Sequence, residues 1–210
     1  MDEAARRARR EAWRQKRRAQ IRRATLETQI EVSLDLDGGA VTARTGVSFL
    51  DHMLDALGRH GKLGIDVSCT GDAAMDPHHT VEDVGIALGQ GVREALGERR
   101  GIARYGHAYA PLDEALARVV IDCSGRPYLH FEAIMPEPVI GRDFASSLVE
   151  EFWRAFIVNA GLTAHIDLIR GRNAHHAAEA IFKAGALAVH AATRNTGDQS
   201  AIPSTKGILA

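Results

Sequence analysis

Cysteine is scarce in this chain: 210 residues carry two, Cys69 and Cys123. Two thiols cannot build a disulfide framework, and both lie in strand-like apolar runs. They read as reduced core residues rather than as ligands. No apolar run reaches the ~18 residues of a membrane span, and no signal-peptide pattern opens the chain. The expectation is therefore a cytoplasmic protein with no membrane partner. A Gly-rich Walker loop is also missing, which argues against nucleotide hydrolysis. Charge nearly cancels over the whole chain, yet residues 1–23 hold ten Arg or Lys against three Asp or Glu. No aromatic interleaving accompanies that basic stretch, so nucleic acid is not an expected partner. It reads as an accessory N-terminal extension, a solvated end or an assembly contact. The remainder is ordinary for a globular protein, at 45% apolar and 25% charged residues overall, and long enough to bury a core.

What the chain does have is one five-residue word, His-His-x-x-Glu, written twice. The copies are His78-His79-Thr80-Val81-Glu82 and His175-His176-Ala177-Ala178-Glu179. Each opens a stretch of helical apolar spacing. On a helix, residues four apart lie ~40° from each other around the axis, and residues three apart ~60° the other way. Either histidine can therefore share a metal ion with its own glutamate. The two adjacent histidines diverge by ~100°, so one ion cannot easily take both. Divergent pairs imply two ions, each completed by ligands from elsewhere. A lone copy could be a helix cap or a tag; two copies at matching places favour a metal site. Imidazole and carboxylate donors suit manganese, zinc or iron, whereas calcium would want more oxygens.

The copies sit in halves that share one order of elements. Ile30, Val32, Leu34 and Leu36 alternate with Gln29, Glu31, Ser33 and Asp35, the period of a half-buried strand. Asp37-Gly38-Gly39 predicts a hairpin into a second strand over 40–45. A helix with Leu50, Leu54 and Leu57 on one side ends at His60-Gly61, and Ile65, Val67 and Cys69 mark another strand. A helix from Pro77 then carries Val81, Val84, Leu88 and Val92. In the second half, 116–121 and 127–134 read as paired strands across Ser124-Gly125. A helix through Phe152 and Phe156 stops at Gly161, a strand carries Ile166 and Leu168, and the His175 helix follows. The pattern predicts an α+β fold of duplicated half-domains, over 24–110 and 111–210. Each is an open, mostly antiparallel sheet with helices on one face, and the two merge around a shared core.

Further ligands must complete two sites. His165 precedes Ile166 and points away from the core side of its strand; His52, in Phe49-Leu50-Asp51-His52-Met53-Leu54, flanks an apolar stripe. Each reads equally well as a solvated polar residue or as a ligand. With them, six histidines and two glutamates suffice for two sites of three His and one Glu. His60, His107, His130 and His190 fit no such arrangement and read as helix-end, surface or core residues. Other residues point to an anionic substrate: Arg104 in Gly101-Ile102-Ala103-Arg104-Tyr105-Gly106, Arg126 after a turn, and Pro203-Ser204-Thr205-Lys206-Gly207. Guanidinium forks and small-residue nests hold phosphate, although any one of these could be an ordinary loop. Few aspartates stand near the histidine words, which disfavours a binuclear phosphate-ester hydrolase bridged by carboxylates. A metal-storing cage would leave the phosphate-type cations without purpose.

These segments resemble the imidazoleglycerol-phosphate dehydratase family of histidine biosynthesis. The resemblance rests on the words LETQI, FLDHMLDALGRHG, DPHHTVEDVGIALGQ, GIARYGHAYAPLDEAL, DCSGRP, HIDLIRGRNAHHAAEAIFKA and PSTKGIL, in that order. It runs from about Arg23 to Leu209 and leaves the basic stretch outside. Pro77 stands where an acidic residue is commoner, without removing a ligand. The resemblance implies dehydration of D-erythro-imidazole-glycerol phosphate to imidazole-acetol phosphate, with two Mn²⁺ per active site. It implies that His52, His78, His79, Glu82, His165, His175, His176 and Glu179 bind the metal. Catalysis would fall to Glu27, His52, His79, Glu82, His176 and Glu179. Glu27, Arg104, Arg126, Ser204, Thr205 and Lys206 would contact the small phosphorylated imidazole substrate. Four strands in the sheet of each half-domain, and a homo-oligomer of twenty-four subunits with active sites between chains, are implied as well.

Overall fold

The computed structural model describes residues 17–73, 75–198 and 201–209; the basic stretch before residue 17 lies outside them. Strands β1 (Arg18–Ala24), β2 (Thr28–Asp35) and β3 (Val41–Arg44) open the fold, followed by helix α1 (Ser48–Gly61), β4 (Gly64–Gly71) and α2 (Pro77–Leu96). The order then repeats as β5 (Tyr105–Leu112), β6 (Ala115–Asp122) and β7 (Tyr128–Glu132). A short ribbon, β8 (Val139–Ile140) and β9 (Phe144–Ala145), is inserted before α3 (Leu148–Ala160), β10 (Thr163–Arg170) and α4 (Ala174–Thr193). Each half forms a four-stranded sheet, ordered β1-β2-β4-β3 and β5-β6-β10-β7. Only the last pair of each is parallel. The expected α+β duplication is what the chain forms.

The strand partners differ from the sequence reading. The glycine turn at 37–39 closes no hairpin: β3 runs parallel to β4, with Val41 opposite Ile65, and β7 runs parallel to β10, with Tyr128 opposite Thr163. Both edges of β2 are occupied, by β1 and β4, so the chain leaving that turn must cross to the far side of β4. β6 is enclosed by β5 and β10 in the same way. The strands that fill those edges are the ones the sequence pattern hides. β1 begins within the stretch set apart as 1–23; Ala19 and Ile21 face inward, and Arg18, Gln20 and Arg22 face out. β5 turns Tyr105, His107 and Tyr109 outward and keeps Gly106, Ala108 and Ala110 inside. Its inner side must be small, because a Cβ on Gly106 would meet the Ala188 carbonyl of α4.

The helices of the two halves pack on one another, α1 against α4 and α2 against α3, while each also covers its own sheet. They form a middle layer between the sheets. Phe152, Trp153 and Phe156 of α3 and Phe182 of α4 are fully enclosed there, with ring centroids 5.0 to 6.1 Å apart. Burying such a ring contributes on the order of 2–3 kcal/mol. Gly89 of α2 has no room for a side chain, since a Cβ would strike the Phe156 carbonyl oxygen, and at Gly85 a Cβ would crowd the Phe152 carbonyl less severely, at 2.9 Å. The α2 and α3 backbones thus touch directly. That contact sets the start of α3 beside the start of α2, where the first histidine word lies.

Candidate metal centre

Both words occupy the first turn of a capped helix. The Asp76 carboxylate accepts from the His78 amide at 2.9 Å, and Pro77 fills a first-turn position that needs no N–H. The Asn173 side-chain oxygen accepts from the His176 amide at 3.1 Å. The caps fix the direction in which the rings leave each helix.

Three donors converge at α4. Nε2 of His52, on α1, lies 3.1 Å from Oε2 of Glu179, and Nε2 of His175 lies 3.3 Å from the same oxygen. A second trio forms at α2, where His78 Nε2 stands 3.9 Å from Glu82 Oε2 and Glu151 of α3 joins them. Within each trio the donor atoms lie within 4.8 Å of one another. Each word is therefore completed by a helix of the opposite half. The sequence reading misses Glu151, whose local role is an ordinary ion pair with Arg154 at 3.3 Å. Only the α2–α3 packing reveals it.

His79 and His176 point elsewhere, as their divergence from the neighbouring histidines requires. Nδ1 of His79 meets Asp72 Oδ2 at 2.9 Å, and Nδ1 of His176 meets Glu114 Oε2 at 2.8 Å. Their other nitrogens face two hairpin tips. His79 Nε2 is 3.7 Å from Glu27 Oε1, and His176 Nε2 is 4.0 Å from Asp113 Oδ2. The hydrogen bond to Asp72 raises the His79 pKa, and the bond to Glu114 raises that of His176. In return, His176 and the Arg172 amide hold the Glu114 carboxyl down at about 2. Burial alone would push Glu179 up, but Lys183, 2.7 Å away, and His52 outweigh it and bring it to about 2. Asp72, Asp113, Glu114 and Lys183 are also absent from the sequence reading. For Asp72 and Glu114 the one signal is chemical, since a ligating imidazole needs an acceptor for its second nitrogen; for Lys183 it is the spacing of one helical turn from Glu179.

Among the described residues His165 joins neither trio. It lies on the exposed face of β10, beside Tyr128 and His130, in a cleft of about 530 Å³ that His107 also lines. His60 is exposed at the end of α1. Arg104 bonds both oxygens of Asp122, at 2.8 and 3.2 Å, and reaches the Pro203 carbonyl at 2.7 Å. It thereby holds the segment carrying Ser204, Thr205 and Lys206 against the end of β6. The Ser204 hydroxyl accepts from the Lys206 amide at 3.2 Å, and the Thr205, Lys206 and Arg126 side chains are exposed.

Imidazole nitrogens and carboxylate oxygens gathered this closely fit a divalent ion such as manganese, zinc or iron. Three donors do not fill a shell of four to six, so positions remain for substrate or for donors from another chain.

Residues 45–189 match the family model described as imidazoleglycerol-phosphate dehydratase. The chain belongs to that family. It is accordingly a hydro-lyase, the dehydratase of histidine biosynthesis. It is 56% identical over 196 residues to the imidazoleglycerol-phosphate dehydratase of Methylococcus capsulatus, spanning 92% of this chain and 99% of that protein. Identity to the dehydratase of Ralstonia pickettii is 55% over 195 residues, with the same coverage. The crystal structure of the Staphylococcus aureus dehydratase superposes with a TM-score of 0.78 at 44% identity, covering 85% of this chain and 99% of that one.

Proposed function

We propose that the chain is a manganese-dependent dehydratase that converts D-erythro-imidazole-glycerol phosphate to imidazole-acetol phosphate and water in the cytoplasm. Two Mn²⁺ ions serve each active site, held by His52, His78, His79, Glu82, His165, His175, His176 and Glu179. The observation that carries this reading is the convergence of His52 and His175 on Glu179, mirrored by His78 and Glu82 at the other word. His165 completes a site in a neighbouring copy, in a homo-oligomer of twenty-four subunits. Its exposure and its distance from both trios support that assignment.

The reaction must remove a carbon-bound proton that no carbonyl acidifies. When bound, Mn²⁺ would supply positive charge that favours the deprotonated substrate imidazole, whose electrons can push out the C3 hydroxyl before the ring takes electrons back as the C2 proton leaves. The C3 hydroxyl leaves as water, the C2 proton is removed, and the resulting enol becomes the ketone. Glu27, at the β1–β2 tip and 3.7 Å from His79, is placed to carry one of these protons. Arg104, Arg126, Ser204, Thr205 and Lys206 hold the phosphate and fix the reacting carbons; orientation of this kind can supply ~7–11 kcal/mol of a barrier.

Purified protein stripped of metal is expected to form imidazole-acetol phosphate only when Mn²⁺ is restored, and Glu27→Gln to be about 10²- to 10⁴-fold slower. Release of inorganic phosphate in that assay, or turnover indifferent to metal, would sink the proposal. If ligands come from two chains, metal also contributes to association, so chelation is expected to yield smaller species in sedimentation.

A further inference from the structure

We infer that Asp72 and Glu114 are paired positioning residues that fix the tautomer of His79 and His176, leaving Nε2 of each ring as the metal-facing atom. This rests on the manganese reading above. Each carboxylate accepts from the Nδ1 of the second histidine of a word, at 2.9 and 2.8 Å. An ionised carboxylate can only accept, so in the neutral ring the facing nitrogen carries the proton and the opposite nitrogen keeps its lone pair. That opposite nitrogen is the one turned toward the Glu27 and Asp113 tips.

The two halves reach the same end with unrelated residues. Asp72 follows β4, whereas Glu114 lies in the turn between β5 and β6, so the pairing was not simply copied along with the words. The two acceptors are also built differently. Oε1 of Glu114 accepts from the Arg172 and Asn173 amides at 3.1 and 3.0 Å, which leaves Oε2 alone to face His176. Among the described residues no such anchor holds Asp72, whose Oδ1 is buried without a hydrogen-bond partner.

This difference yields a test that separates tautomer control from mere support. In Glu114→Gln the amide oxygen must stay on the two backbone N–H groups, so the NH₂ meets Nδ1. His176 must then accept there, and its proton moves to Nε2, capping the atom that would bind metal. Glu114→Ala loses the backbone bonds, but water can still accept from Nδ1. Mn²⁺ titrations of the assembled protein against a competing chelator are expected to rank wild type above Glu114→Ala, and Glu114→Ala above Glu114→Gln. The Gln variant should lose about 10- to 100-fold at one of the two ions. Asp72→Asn can turn its carbonyl toward Nδ1 and is expected to weaken binding less. Thermal melting of the metal-free variants gives the opposite order, with Glu114→Gln above Glu114→Ala. A purely structural role predicts that Gln binds metal at least as well as Ala, and that ranking would overturn the inference while wild type still binds two ions. Wild type that takes up no Mn²⁺ would overturn the manganese reading and this inference together.

Discussion

The two histidine words are copies of one another, but their surroundings have diverged. At α4 the Glu179 side chain is 14% exposed and lies against His52, His175 and Lys183. At α2 the Glu82 side chain is 42% exposed and has His78 3.9 Å away. Part of the cause is a single position: Lys183 follows Glu179 by one helical turn, whereas the residue one turn after Glu82 is Ile86. An enclosed carboxylate with a resident cation is ionised and aimed before any ligand arrives. An open one is ordered by what it binds. The α4 set is prearranged, and the α2 set is adaptable.

Neutralising each glutamate breaks the contrast most severely. Under the manganese reading, Glu179→Gln and Glu82→Gln each lose at least ~100-fold in Mn²⁺ affinity at one ion, measured by chelator competition. Only Glu179→Gln is expected also to lower the melting point of the metal-free protein, by about 1–3 kcal/mol of stability, because Lys183 loses its charge partner. Equal melting of the two variants would erase the difference in enclosure. Gly89→Ala comes next. Forcing α2 off α3 is expected to cost about 1–3 kcal/mol and to move Glu151 away from His78, weakening metal at α2 but not at α4. A variant that melts like wild type would mean the helix backbones have room to spare.

A smaller effect is expected with pH. Glu179 is depressed to about 2, so its stabilising contribution is complete above the ordinary carboxylate value of 4.5 and is lost as pH falls toward 2. Metal-free Lys183→Met is expected to show a shallower acid loss over that window than wild type; identical acid profiles would exclude the lysine as the source. The least disturbing comparison uses the thiols. Burial pushes Cys123 up to about 12 and also raises half-buried Cys69. At pH 8 labelling is expected to be slow and to reach Cys69 first, with Cys123 reacting only on unfolding.

What the sequence made legible was whatever repeats within one element. The spacing of His78 with Glu82 and of His175 with Glu179 belongs to a single helix, so it can be read from the chain. The outward position of His165 follows from the alternation around Ile166. Glu151 was hidden, because what selects it is the backbone contact at Gly85 and Gly89 with a helix of the other half. The parallel placement of β3 and β7 was hidden for a related reason: turn residues report that the chain bends, not which sheet edge is vacant. β1 and β5 escaped because arginines and outward tyrosines carry the eye while most inner positions are small, Ala19 in β1 and Gly106, Ala108 and Ala110 in β5. Asp72 and Glu114 could be seen only once the rings they serve had a direction.

Because α1 leans on α4 and α2 on α3, neither donor set can be built from one repeat alone. A half-length chain could assemble such a set only by pairing with a second copy of itself, a partnership that a single chain holding both halves makes permanent. Within one chain the two copies of each ligand helix need not match, and they do not: a lysine stands one turn after one glutamate and an isoleucine one turn after the other.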